Sequence, residues 1–429
     1  MNIIERGQQF LQSLVQLANR KAWEWRRCPR CGDSLTCKWG FYERHPWFFE
    51  GHKKVPVQRH LCHRCKATYS EHSALLVRGS WYGREVHRCA VDHWQHVGSS
   101  LRKTAQWVRS FLGRQERWKL WRPLDKEPEE GERCYLSPST VHRWLDRGGL
   151  KAKGSVKEQL KGVPTSGQVG TDGLWARLRG NSKKVVLCLV DSVSGLVFPP
   201  VVVDGEERAE AWEELFLRAK EAGLKLEELR GVASDGAKGL ISYLELGLWW
   251  VKHQRCVFHL WRNLSGELAA RVKETAQGLV GEVGKRVRQQ ARKKWVELVG
   301  GVWDAPSYKE AQQALARLGA QAGGKGLAQA ISEHLKGALV HLLVCNQGLM
   351  RVSPEWCWRD FRLRLSHGRN HGSSERLERA ALVWAIYRNF TPAQWRSERK
   401  RKYRRPGLSP LDMAGVPPGE VSYLDALEV

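Results

Sequence analysis

Two β-rich runs of this chain each carry an aspartate followed directly by glycine, one on its strand and one at its strand's end. Residues 169–175 read VGTDGLW and carry Asp172; residues 232–240 read VASDGAKGL and carry Asp235. A glycine beside a carboxylate lets backbone and a cation approach closely. Hard divalent ions such as Mg²⁺ take oxygen ligands of this kind. Phosphodiester chemistry commonly uses two such ions about 4 Å apart, one activating the nucleophile and one stabilising the leaving oxygen. A third carboxylate is offered by 365–381, LSHGRNHGSSERLERAA, where Glu375 and Glu378 follow a polar loop on one helical face. Each of these carboxylates by itself reads equally well as a turn or as a helix-start acid favoured by the macrodipole.

A second chemistry is written in cysteine. Cys28-x2-Cys31 and Cys62-x2-Cys65 are two knuckles with basic neighbours Arg27, Arg30, Arg64 and Lys66. Four thiolates from two such turns fit tetrahedral Zn²⁺, and a closed four-sulfur site has no open position, so this metal would be structural. Cys37, Cys89 and Cys134 lack a paired spacing and are expected to pack. A third motif, HQRCVFHLWRN at 253–263, holds Cys256 and His259 three apart. Two ligands are too few for a closed site, so a separate zinc is not expected there.

Something must position these groups, and composition bounds it. The 429 residues suffice for two or three domains. With 71 Lys+Arg against 45 Asp+Glu the chain is strongly basic, and 1–150, 151–350 and 351–429 are each basic in turn. One solvated tail does not explain this; a polyanion partner does. Eleven cysteines, with no secretory leader expected, disfavour a disulfide framework. No window is apolar enough for a membrane span, so a cytoplasmic protein is expected.

Periodicity divides the chain. Residues 1–24 carry a helical stripe. The aromatic and basic segment between the cysteine knuckles reads as short strands within 25–80. Helices return over 81–150, with 113–135 as a loop or insertion. The stretch 98–112 reads as a first helix capped by Ser99 or Ser100. The stretch 136–149, LSPSTVHRWLDRGG, reads as a second, started at Ser137-Pro138 and ended by Gly148-Gly149. Ser139, Thr140, His142 and Arg143 would face outward, with Val141, Trp144 and Leu145 inward. Short polar groups followed by Arg suit a major-groove reader, so this pair is read as a helix-turn-helix. A domain boundary is placed in the polar 151–168.

Beyond it the order is three β-runs, a helix, a strand to Asp235, a helix, a strand and a helix. That α/β order is the one of a ribonuclease-H-like core, assigned to 168–263 and 366–390. Ala/Leu/Lys-rich 264–365 reads as a helical insertion, and 391–429 as a basic tail.

Taken together, GTDG…SDG…HQRCVFHLWRN…SSERLER resembles the DDE transposases of the Mutator-like superfamily, including its bacterial insertion-sequence branch. The resemblance covers 168–390, and the segment before it resembles the DNA-binding front end of related transposases. It implies a ribonuclease-H-like core with a helical insertion between the second Asp and the Glu. It selects Glu375 over Glu378, although Glu378 stands where the family motif has Asn. It sets Cys256 and His259 beside the catalytic pocket, with His259 contacting a phosphate or orienting the nucleophile. Arg255 and Arg262 become candidate phosphate contacts. The expectation is then a transposase whose Asp172, Asp235 and Glu375 hold two Mg²⁺ or Mn²⁺ ions. Double-stranded DNA, as terminal inverted repeats and as target, would be the partner, and a homo-oligomer the working form. A catalytically silent DNA-binding regulator, or a nuclease of the same fold without strand transfer, are the alternatives.

Overall fold

A computed structural model describes residues 27–71, 74–112, 136–178, 180, 182–343, 358, 361–362, 371–392, 407–419 and 421–428. The helix expected over 1–24, the interruption 113–135 and the most basic part of the tail, 393–406, lie outside these. The chain is mixed α/β and divides into two compact units: 1–151 with 363–368 and 419–429, and 152–362 with 369–418. No helix among the described residues is long and apolar enough to cross a membrane.

In the first unit β1 (Thr36–Arg44) runs antiparallel to β4 (Val55–Cys62), which pairs on with β5 (Thr68–Ser70). Between β1 and β4 sits a minimal hairpin, β2 (Trp47–Phe48) with β3 (Gly51–His52). Phe48, Val55, Val57 and Leu76 form a small core there. Helices α1 (Arg84–Val97), α2 (Leu101–Phe111) and α3 (Pro138–Leu160) follow. α1 buries Val86, Ala90, Val91 and Trp94 and stops at Gly98, whose φ of 62° is the left-handed C-cap. α2 is capped by Ser100, whose side chain accepts from the Lys103 N–H.

One expectation fails here. Gly148 and Gly149 do not end α3, which continues to Leu160. The buried stripe carries on through Ala152, Val156 and Leu160, at 0%, 0% and 2% exposure. Four-residue spacing of apolar groups holds the helix through two poor helix formers. The segment 151–168, where a domain boundary was placed, is therefore helical for its first ten residues.

The second unit is built on a five-stranded sheet of order β10-β9-β6-β7-β8. β6 (Gln168–Arg177), β7 (Lys183–Asp191) and β8 (Val201–Asp204) form an antiparallel meander. β9 (Gly231–Ser234) and β10 (Lys252–Arg255) add in parallel on the other edge of β6. β7 is buried from Val185 to Asp191, as a continuous apolar run at a sheet centre requires. Crossover helix α4 (Ala209–Glu221) buries Trp212, Leu215 and Phe216; α5 (Lys238–Gly247) joins β9 to β10.

α6 (Val257–Thr275) leaves β10 at once and runs without a break past residue 264, where the helical insertion was expected to begin. With α7 (Gly281–Trp303), α8 (Tyr308–Gly319), α9 (Lys325–Ser332), α10 (Leu335–Ala338) and α11 (Val340–Leu343) it encloses its own core of Leu260, Trp295, Val302, Trp303, Leu318 and Ile331. α12 (Ser374–Phe390) returns to β7 and β8. Its Asn389 side chain donates to Val197 O at 2.9 Å and accepts from Val197 N at 2.8 Å, both buried.

Two short helices follow in the segment read as a tail. α13 (Pro410–Met413) and α14 (Tyr423–Ala426) each start with a full capping box. In the first unit, α14 binds α1: Arg88 meets Asp425 at 2.6 Å, and Tyr423 Oη donates to Asp92 at 2.7 Å.

Candidate metal centres

The first centre begins with register. Gly170 of β6 is level with Ala233 of the parallel β9, so two residues further along Asp172 and Asp235 come level. Asp172 is still inside β6, 3% exposed, with the Gly173 N–H donating to its Oδ1 at 3.0 Å. Asp235 stands just past β9, where Gly236 turns the chain at φ +80°. The Ala237 N–H donates to Asp235 Oδ1 at 3.1 Å. A Cβ there would also lie 1.7 Å from Arg255 Nη1, so the Arg255 side chain would have to move. Arg255 Nη1 donates to Gly236 O at 3.3 Å, which holds a guanidinium next to Asp235.

The 253–263 motif now has a place. The Cys256 N–H donates to Ser234 O at 2.6 Å, pinning the start of α6 against the end of β9. His259 follows in the first turn of α6, 5% exposed. One ligand atom each from Asp172, Asp235 and His259 lie within 4.8 Å of one another. Cys256 is buried but outside this group. His253 is not in it either: its Nε2 shares a hydrogen bond of 2.7 Å with Ser234 Oγ. Burial, helped by Arg255 and opposed by Asp235, pushes His253 down to about 4, so it is neutral at pH 7.

Glu375 is not brought into the cluster. It lies in the first turn of α12, its side chain 79% exposed, with Arg379 at 3.8 Å. Glu378 is engaged elsewhere, ion-paired to Arg218, which also holds Glu214 at 2.6 Å. Arg262 is exposed on α6.

A carboxylate that sequence reasoning passed over is close by. Glu207, just before α4, has its Oε1 only 2.5 Å from where a Cβ on Gly173 would be. Its own carbonyl oxygen occupies the Cβ space of Gly239, at 1.9 Å. Two glycines thus make room for this one residue. Burial first, and then the negative charge of Asp235, push Glu207 up to about 7. The signal was Gly173 itself: a glycine inside a strand marks close approach of another group.

The second centre is compact in sequence. Cys28, Cys31, Cys62 and Cys65 each offer a sulfur within 4.8 Å of the others. The Cys28–Cys65 and Cys31–Cys62 sulfurs are 3.5 and 3.6 Å apart. Tetrahedral zinc with Zn–S of about 2.3 Å implies sulfur pairs about 3.8 Å apart, so the set fits. Left-handed Gly32 and Lys66 shape the two knuckles, at φ 73° and 56°. Although burial opposes it, the Arg30 and Cys31 N–H groups and the neighbouring thiols draw Cys28 down to about 7. Cys31 goes up to about 12: the Asp33 N–H favours its thiolate, but burial and three adjacent sulfurs outweigh that. Crowded sulfurs ionise one after another, and a divalent cation is what lets all four do so together.

In α3, Ser139 and Arg143 are exposed and Thr140 and His142 half-buried, while Val141, Trp144 and Leu145 are buried. Arg143 donates to Thr140 Oγ1 at 3.1 Å, and Ser137 caps the turn by accepting from Thr140 N at 3.1 Å.

Residues 200–344 match the family model Transposase, Mutator family. No curated protein matches the chain. The matched segment holds Asp235, His259, Glu207 and Arg255. Asp172, Glu375 and the four cysteines lie outside it. A transposase domain over that segment is what the match supports.

Proposed function

We propose that this protein is a DNA transposase that cuts element ends and joins them to target DNA at the Asp172–Asp235–His259 cluster. The observation that carries the reading is the meeting of these three side chains within 4.8 Å although they come from three separate elements. Their setting is a five-stranded sheet of order β10-β9-β6-β7-β8, and a Mutator-family match covers two of the three. Asp172 and Asp235 would hold divalent cations, Mg²⁺ or Mn²⁺, which supply charge neutralisation at the phosphodiester and a more acidic water.

The chain's own groups do the rest. Arg255, fixed against Gly236, is set to meet a phosphate oxygen beside Asp235, and Arg262 to meet one from the exposed side of α6. His259 holds or passes a proton at the reacting oxygen. Glu375, whose exposed carboxylate lies 3.8 Å from Arg379, is proposed to complete the site once DNA is bound. In the first unit the four cysteines would hold Zn²⁺ as a staple. Ser139, Thr140, His142 and Arg143 would read duplex DNA at the element ends, and pairing of two ends calls for a homo-oligomer.

The test uses the inverted repeats flanking the coding region as substrate. With Mg²⁺ or Mn²⁺ the chain should nick these ends and join each freed 3′-OH to a target phosphate, displacing the target strand's 3′ oxygen. Asp172→Asn and Asp235→Asn should lower cleavage by about 10²- to 10³-fold and leave end binding within about two-fold, since electrostatic groups at the reacting centre carry barriers of that size. Cleavage at the wild-type rate in both variants refutes the site. Nicking without joining of pre-cleaved ends would make the protein a nuclease; specific binding with no nicking would make it a regulator.

A further inference from the structure

β1 is an edge strand with no pairing partner on its outer side among the described residues. Its residues Lys38–Glu43 are exposed without a break, so neither face of this stretch is part of a core. A solvent-facing strand normally carries polar groups on at least one side. This one carries Trp39, Phe41 and Tyr42 at 53%, 69% and 37% exposure. Three aromatic groups within four residues are a large apolar surface left in water.

The surface is built rather than slack. Pairing with β4 shifts register between Lys38 and Phe41, so Trp39 and Gly40 bulge from the ladder. Gly40 adopts φ +71°, a left-handed conformation that suits glycine at a bulge. The Gln58 side chain donates across the bulge to Gly40 O at 2.6 Å. The bulge re-aims the aromatic side chains, and that bond locks it. Charge completes the pattern: Lys38 on β1 and Arg59 on β4, at the level of the bulge, are both exposed.

Exposed rings bordered by cations match a strand of unpaired nucleotides, whose bases offer π-faces and whose phosphates offer charge. They match duplex DNA poorly, because its bases are already stacked on one another. A purely apolar protein partner would have no use for Lys38 and Arg59, and the chain's net charge of +26 disfavours self-association through a basic face. We propose that β1 is a binding platform for single-stranded DNA, taking bases onto Trp39 and Phe41 and backbone onto Lys38 and Arg59. This goes beyond the transposase reading and is independent of it: a failed cleavage assay leaves it standing, and the reverse.

The experiment is equilibrium binding of the full chain, without added divalent cation, to a labelled 20-nucleotide single strand and to a blunt duplex of the same sequence. Trp39→Ala/Phe41→Ala should weaken single-strand binding roughly ten-fold or more, as loss of stacked bases does, and change duplex binding by less than about two-fold. Trp39→Phe/Phe41→Tyr, which keeps the rings, should bind both like the wild type. Unchanged single-strand affinity in the alanine variant overturns the proposal. So does an equal loss on both DNAs, or a change from dimer to monomer, which would make the strand a contact between copies. Should the alanine variant not fold, photo-crosslinking of the wild-type chain to a bromouracil-bearing single strand decides it: cross-links within 36–44 support the platform, and their absence there rejects it.

Discussion

Glu207 shows how much of a site can depend on groups that are missing. Its carboxylate rests where Gly173 has no side chain and its carbonyl where Gly239 has none. Gly239→Ala would set a methyl 1.9 Å from that carbonyl oxygen and 2.7 Å from Arg208 C. Both are backbone atoms, so no rotamer change relieves the clash. A loss of about 2 kcal/mol or more is expected, read as a lower urea midpoint. The acid–base behaviour of Glu207 is testable separately. Its carboxyl, raised to about 7 by burial and Asp235, holds its proton more tightly folded than unfolded. Ionising it therefore costs stability from about pH 4.5 upward, and the full cost is reached above about 7. In metal-free protein Glu207→Gln should raise the melting temperature at pH 8 and leave it unchanged at pH 4. Equal effects at both pH values would place the carboxyl in a different setting. For the third carboxylate, Glu375→Gln should reduce cleavage as strongly as Asp172→Asn. A near-wild-type rate there, with loss in Glu207→Gln, would move that role to Glu207.

Single elements carry their own consequences. Among the described residues Val55 and Val57 of the sheet β1-β4-β5 pack with Phe48 and Leu76 in a small core. A core so small needs a staple, and Cys62, 0% exposed at the end of β4, ties the sheet to the knuckle at Cys28–Cys31. Chelation, or Cys62→Ser, should unfold this sheet and abolish single-strand binding at β1 while the second unit keeps its helical signal. Cobalt substituted into the site should give the absorption of a tetrahedral thiolate complex, and an octahedral spectrum would refute the four-sulfur assignment. α12 is similarly dependent on its start. The Ser373 side chain accepts from the Arg376 N–H at 3.4 Å. Ser373→Ala should cost up to about 1 kcal/mol and, by loosening the turn that bears Glu375, lower cleavage more than binding.

At the scale of the whole molecule, buried histidines in both units should make stability fall in acid. His253 is pushed down to about 4 and His87, stacked on Trp144 and bonded to Ser80, well below its ordinary value, each chiefly by burial. The unfolded chain takes up these protons near pH 6.5 and the folded one does not. Stability is thus full above about 7 and falls as pH drops, with about 3 kcal/mol lost through His253 between 6.5 and 4. Urea midpoints against pH should show the fall, and His253→Gln should remove its share. By itself the sequence pointed to the α/β class, the four-cysteine set and the two Asp-Gly pairs, one within a strand and one at a strand end, because alternation, turn chemistry and ligand spacing are local properties. It misjudged the end of α3, since whether Gly148-Gly149 stops a helix depends on what the next turns bury. Only the tertiary structure decided that His259 joins Asp172 and Asp235 while Cys256 and Glu375 do not, and that Glu207 comes to rest on Gly173. Those outcomes depend on the register of β6 against β9 and on the path from β8 into α4, and separation along the chain does not encode distances in space.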